Sequence, residues 1–86
     1  MEIELTLIAA EDLKYFKKSG NQAILKKIRT LLEDIQKTPY TGIGKPEALK
    51  YDQTGNWSRR INQEHRLIYE VQEYRILVHS MRGHYQ

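Results

Sequence analysis

The sequence predicts an α+β fold: an N-terminal strand, a two-helix hairpin, then a twisted antiparallel sheet with the helices covering one face. Three observations predict it. Residues 2–8 alternate between apolar and polar with the period of a half-buried strand. Two stretches between Ala10 and Thr38 carry helix caps and a helical apolar period. Three strand-like runs between Trp57 and Met81 are separated by turns so tight that they force antiparallel hairpins.

Taking the elements in order, Ile3, Leu5 and Leu7 share one side of the first strand and Glu2, Glu4 and Thr6 the other, until Ile8 breaks the pattern. Ala10–Ser19 reads as a helix with Glu11 and Asp12 in its first turn and Lys17 and Lys18 in its last, charges that oppose the helix dipole. Gly20 supplies a left-handed stop, and Leu13 and Phe16 face inward. Asn21 caps a second helix whose Ile24, Leu25, Ile28, Leu31, Leu32 and Ile35 trace one stripe. Pro39 ends it near Lys37 or Thr38.

Tyr40–Pro46 is a loop with Gly42 and Gly44 as turn residues, and it lacks the spacing and the Lys-Ser/Thr ending of a phosphate-binding P-loop. Glu47–Tyr51 is a short strand or extended segment, followed by a turn cluster, Asp52–Asn56. The meander runs Trp57–Asn62, His65–Val71 and Tyr74–Met81. On its middle strand Leu67, Tyr69 and Val71 share the core face, which leaves Arg66, Ile68 and Glu70 on the other. The last strand is apolar on both faces, so its faces stay unassigned.

A chain of 86 residues is expected to form a single domain, residues 1–86, since so short a chain cannot sustain two cores. It has no cysteine, which excludes disulfides and thiolate zinc sites. A histidine metal site would need His65, His79 and His84 to converge, and the expectation is no metal and no cofactor. The N-terminus carries acids in place of a signal peptide's apolar core, and no stretch approaches the ~20 apolar residues of a membrane span, so a cytoplasmic protein is expected. The net charge of +3 favours an anionic partner. More telling is the interleaving of Arg59, Arg60, Arg66, Arg75 and Arg82 with Tyr51, Trp57, Tyr69, Tyr74 and Tyr85, a mixture suited to gripping phosphate and stacking on unpaired bases.

Metal-free RNA cleavage requires a base for the 2′-hydroxyl proton, positive donors for the five-coordinate phosphate and an acid for the departing 5′-oxygen. Glu47, Arg66 with Arg59 or Arg60, and His84 can fill those roles, and Tyr85 can stack on a base or hydrogen-bond the phosphate. Each has a bland reading too: Glu47 as a surface glutamate, Arg66 in an ion pair with Glu64 or Glu70, and His84 as an exposed terminal residue. His65, on the face of Leu67 and Tyr69, and His79, inside an apolar strand, read as structural.

Gly44-Lys45-Pro46-Glu47 with Leu49-Lys50, Gly55-Asn56-Trp57-Ser58-Arg59-Arg60-Ile61, Glu64-His65-Arg66-Leu67-Ile68-Tyr69 and the terminal Gly83-His84-Tyr85 resemble the YoeB (Txe) family of bacterial toxins, within the RelE and ParE superfamily. The resemblance runs through nearly the whole chain. It implies a toxin of a type II toxin–antitoxin pair, an endoribonuclease that cuts messenger RNA in the ribosomal A site and so halts translation. By correspondence, Glu47 is the general base, Arg66 the phosphate-stabilising arginine, His84 the general acid and Tyr85 the terminal aromatic. Lys50, Arg59 and Arg60 match basic positions that support RNA or ribosome binding. Gln86 departs from the pattern, because many relatives end on the tyrosine.

The partners so implied are the ribosome and mRNA, a cognate antitoxin of the YefM/Axe kind with an acidic segment, and a second copy of the chain in a homodimer. Two other functions fit the same fold: a ParE-like gyrase inhibitor, and a non-catalytic ribosome- or RNA-binding module. Glu47 together with His84-Tyr85 argues against both.

Overall fold

The computed structural model describes residues 1–83. Its elements are β1 (Glu2–Leu5), α1 (Leu7–Ser19), α2 (Gln22–Lys37), β2 (Glu47–Ala48), a 3₁₀ turn (Tyr51–Gln53), β3 (Asn56–Arg60), β4 (Arg66–Val71) and β5 (Arg75–Ser80). They form one five-stranded sheet in the order β1-β5-β4-β3-β2. Neighbours pair antiparallel except β1, which runs parallel to β5 with Ile3 opposite Ile76 and Leu5 opposite Val78. The meander and the helical hairpin were expected; that parallel pair was not, because nearly the whole chain lies between its strands and no turn announces it.

One face of the sheet and the helices enclose the core. Ile24, Ile28, Leu31 and Ile35 of α2 and Ala9 and Phe16 of α1 pack on Leu67, Tyr69, Ile76 and Val78. Burying each large apolar side chain stabilises the fold by roughly 1.5–3 kcal/mol before the entropy cost of ordering it. Asn21 caps α2 as expected, its Oδ1 accepting the Ile24 N–H at 3.1 Å, and Gly20 ends α1 at a φ of 71°.

The first strand is shorter and the first helix longer than expected. Thr6 is the cause: its N–H donates the last sheet bond to Val78 O, while its hydroxyl accepts the Ala9 N–H and donates to His79 O. The helix therefore opens at Leu7, leaving Leu7 and Ile8 exposed, and Glu11 and Asp12 fall beyond the first turn. Asp12 instead accepts the Met81 N–H at 2.9 Å. The expected Glu47–Tyr51 segment likewise forms a strand only over Glu47–Ala48, with the Leu49 N–H donating one more bond to Asn56 O at 2.9 Å, before the chain turns at Tyr51.

Loop 38–46 offers almost nothing to the core, and Arg59 holds it. This side chain is fully buried and uses every N–H it has: Nε donates to Tyr69 Oη at 3.1 Å, Nη1 to Asp34 Oδ2 at 2.5 Å and Ile43 O at 3.2 Å, and Nη2 to Thr38 O at 2.6 Å and Thr41 O at 2.8 Å. Tyr69 Oη in turn donates to Pro39 O at 2.6 Å, and burial pushes its phenol above the ordinary value, which keeps the donor protonated. The loop lies so close that a Cβ on Gly42 would stand 2.0 Å from Asp34 Oδ2, and one on Gly44 2.8 Å from Leu31. Both glycines also have positive φ.

Arg59→Met should cost about 3–5 kcal/mol in urea unfolding, because it strands a carboxylate, a phenol and three carbonyls. The Arg59 hydrogen bond, followed by the Ile43 N–H, holds the Asp34 carboxyl below its ordinary value of 3.8. A lowered folded value means that the stabilisation is complete above the ordinary value and lost as pH falls through the lowered one. Stability should thus decline in acid below that ordinary value, and Asp34→Asn should flatten this part of the profile.

Candidate active site

Strand alternation sorts the chemistry-bearing residues to the sheet face that the helices leave open. Leu67 and Tyr69 face the core, so Arg66, Ile68 and Glu70 point the other way, as expected. The register then puts Glu47, Ser58, Ile68 and Ser80 in one row across β2, β3, β4 and β5. Arg60 and Arg66 form the next row, directly opposite each other. With strands ~4.8 Å apart and alternate residues along a strand ~6.7 Å apart, Glu47 and Arg66 stand about 12 Å apart at Cα, a gap that both side chains can reach across toward one phosphodiester.

The charges on this face are unevenly matched. Glu4 pairs with Arg75 at the β1 side, and Glu70 Oε1 meets His79 Nε2 at 3.0 Å, a hydrogen bond that lowers the Glu70 carboxyl below its usual range. Toward β2, among the described residues, no carboxylate pairs with Arg60 or Arg66. Among the described residues the Arg66 guanidinium makes one weak bond, Nη1 donating to Asn62 O at 3.3 Å, and the ion pair with Glu64 or Glu70 considered from sequence is not formed. Like charges directly opposite on neighbouring strands are destabilising. An anion between them would reverse that cost.

Glu47 and Arg60 are exposed and Arg66 is half-buried, all accessible from this face. Lys50 is exposed just past β2. Arg59 corrects the sequence expectation: expected among the RNA-binding residues, it points into the core side, with all its donors consumed in the loop network. Period-two alternation separates it from Arg60, but neither residue type says which arginine faces inward. His84 and Tyr85 lie outside the described residues; the described chain ends at Gly83, whose carbonyl accepts the Arg66 N–H at 2.9 Å. Sequence reasoning missed Ser58, buried between Glu47 and Ile68, since only the β2–β3 register reveals its place. A separate groove of about 630 Å³ on the helices, lined in part by Leu13, Leu25 and Leu32, contains none of the nominated residues.

A helical hairpin covering one face of a five-stranded sheet is the RelE/ParE-like toxin fold. The family described as "YoeB-like toxin of bacterial type II toxin-antitoxin system" matches residues 5–85, and the chain belongs to that family. The toxin YoeB of Synechocystis is 43% identical over 86 residues, covering 100% of this chain and 99% of the relative. The YoeB/ParE toxin from Agrobacterium tumefaciens superposes with a TM-score of 0.95 at 38% identity, over 99% of this chain and 100% of that one. The YoeB of Staphylococcus aureus has been solved as a dimer and in complex with YefM, with TM-scores of 0.91 and 0.89 at 44% and 45% identity, each over 99% of this chain and 98% of that one.

Because Glu47 and Arg60 touch solvent and not the core, Glu47→Gln should leave stability within about 0.5 kcal/mol of the parent. Arg60→Gln should leave it unchanged or raise it by a few tenths of a kcal/mol as the cross-strand repulsion is relieved. Urea unfolding curves measure both.

Proposed function

We propose that this type II toxin is a ribosome-dependent endoribonuclease that cuts messenger RNA in the A site by 2′-hydroxyl attack. The observation that carries the reading is the cross-strand pair Arg60–Arg66, with no carboxylate partner among the described residues and one row from the exposed carboxylate of Glu47. Glu47 takes the 2′-hydroxyl proton, and the 2′-oxygen attacks the adjacent phosphorus. Arg66 holds the non-bridging oxygens as charge builds on them, a planar fork matched to two oxygens. The bond to the 5′-oxygen breaks, and His84 gives that oxygen a proton, leaving a 2′,3′-cyclic phosphate and a 5′-hydroxyl. Tyr85 stacks on a base or hydrogen-bonds the phosphate, while Arg60 and Lys50 hold RNA on either side; Arg59 has no part in it. The steps need only acid, base and positive charge from the chain.

The work is done in the cytoplasm, where translating ribosomes are. An acidic segment of a YefM-like antitoxin covers the basic open face, and the toxin dimerises; the Staphylococcus aureus complex and dimer support these partners.

In-vitro translation with mapped mRNA ends tests the whole reading: codon-positioned cuts are expected, whereas stalling on intact message would overturn it. Glu47→Gln and His84→Gln should each slow cleavage by about 10²- to 10⁴-fold without weakening ribosome binding. Arg66→Lys, which keeps the charge but loses the fork, should also be slow. A 2′-deoxy nucleotide at the cut site should bind and resist cleavage.

A further inference from the structure

The chain end that carries the proposed acid is anchored by a buried histidine that the mechanism above does not use. His65 is 7% exposed and sits edge-on to Phe16 of α1, ring centroids 5.0 Å apart. Its backbone is locked by the turn between β3 and β4: its N–H donates to Asn62 Oδ1 at 2.7 Å, and its carbonyl accepts the N–H groups of Ile61 and Asn62. Its Nδ1 accepts the Gly83 N–H at 2.9 Å, so that nitrogen is the acceptor and the ring hydrogen lies on Nε2. The Nε2 edge looks toward Glu64 Oε1, 3.6 Å away and beyond a good hydrogen bond.

Gly83 is held on both sides, its N–H by His65 and its carbonyl by the Arg66 N–H, at a φ of 83°. The two residues that hold it are adjacent in sequence, His65 by its ring and Arg66 by its backbone. The preceding residues are pinned as well, Met81 through Asp12 and Arg82 by its guanidinium 3.7 Å over the Tyr15 ring. Among the described residues His65 is thus the last side chain to grip the chain, and His84 is the next residue in the sequence.

We infer that His65 is a positioning residue that fixes Gly83, the residue before the proposed acid, beside Arg66. The inference rests on the nuclease reading. His65 touches no RNA; it acts by removing the freedom of Gly83, and a displacement of about 1 Å at a reacting group costs on the order of 10²-fold.

Two substitutions separate the imidazole's acceptor from its bulk. His65→Phe keeps a ring against Phe16 but has no acceptor, whereas His65→Asn loses ring area yet places Oδ1 where Nδ1 stood. Cleavage on programmed ribosomes should slow by roughly 10- to 100-fold in His65→Phe, in the rate at saturating ribosomes and not in KM. His65→Asn should recover most of it despite its poorer packing. An equal loss in both variants, or full speed in His65→Phe, overturns the inference. Should either variant unfold, nitrogen NMR of the unaltered protein decides: Nδ1 must be the unprotonated nitrogen and the Gly83 amide must be protected from exchange, and a protonated Nδ1 or a freely exchanging amide overturns it. The parent and His84→Gln run alongside tell the failures apart. If the parent protein leaves the message intact the nuclease reading falls; if it cleaves and His84→Gln is as fast, the acid assignment falls; and if His84→Gln is slow while His65→Phe is not, only the positioning role does.

Discussion

One buried guanidinium sets where β2 begins. Arg59 reaches from β3 beneath loop 38–46 and ties it to the end of α2 through Asp34 and to β4 through Tyr69. The loop has few apolar side chains to pack, so its backbone carbonyls do the binding, three of them on Arg59 and one on Tyr69. Gly44 then accepts the Arg60 N–H at 2.6 Å, and two residues after Lys45, itself at a φ of 53°, the chain reaches Glu47. A buried ion pair is weak evidence for net stability, since desolvation offsets much of its attraction. Here its effect is specificity: five donors in a rigid fork admit one course of the loop, and that course delivers Glu47 to the row beside the arginines.

Arg59 and Arg60 are neighbours in sequence with opposite fates. Period-two geometry sends one into the helix-covered side, where every donor finds an oxygen, and the other to the open face opposite Arg66. The first arrangement is closed: no N–H is left for a ligand. The second is open, with two like charges held together by the ladder and no acid between them among the described residues. A sheet that needed only to be stable would gain by replacing either, which is the physical ground for giving that row a ligand.

The sequence made the general form of the fold legible because its signals were local. Asn21 and Gly20 bound the helical turn, the α2 stripe gave the core face, and alternation on β4 placed Arg66 correctly. The misses were long-range or competitive. The β1–β5 pairing joins the two ends of the chain, and the Thr6 cap won over an alternation that would have carried the strand to Leu7. The site was legible as residue types, but its arrangement was not: Ser58 enters through register, and Arg59 was assigned to the surface because an arginine in an arginine-aromatic run reads as a phosphate ligand unless its buried acceptors are known. Those acceptors are mostly backbone carbonyls of an irregular loop, which carry no signature in the sequence.

The base and the arginines come to the open face by routes that share little. Glu47 depends on the loop network under Arg59, Arg66 on the alternation of β4, and the start of the C-terminal segment on α1 and the β3–β4 turn through Asp12, Tyr15 and His65. None of these placements is made by a contact between neighbours in sequence, so no fragment of the chain holds the constellation. The helical hairpin supplies an anchor to both of the outer routes, Asp34 from α2 and Asp12 from α1, each turned away from its own helix to hold a distant segment. Acids that helical patterning assigns to a solvated face thereby become the means by which the scaffold sets the geometry on the opposite side of the sheet.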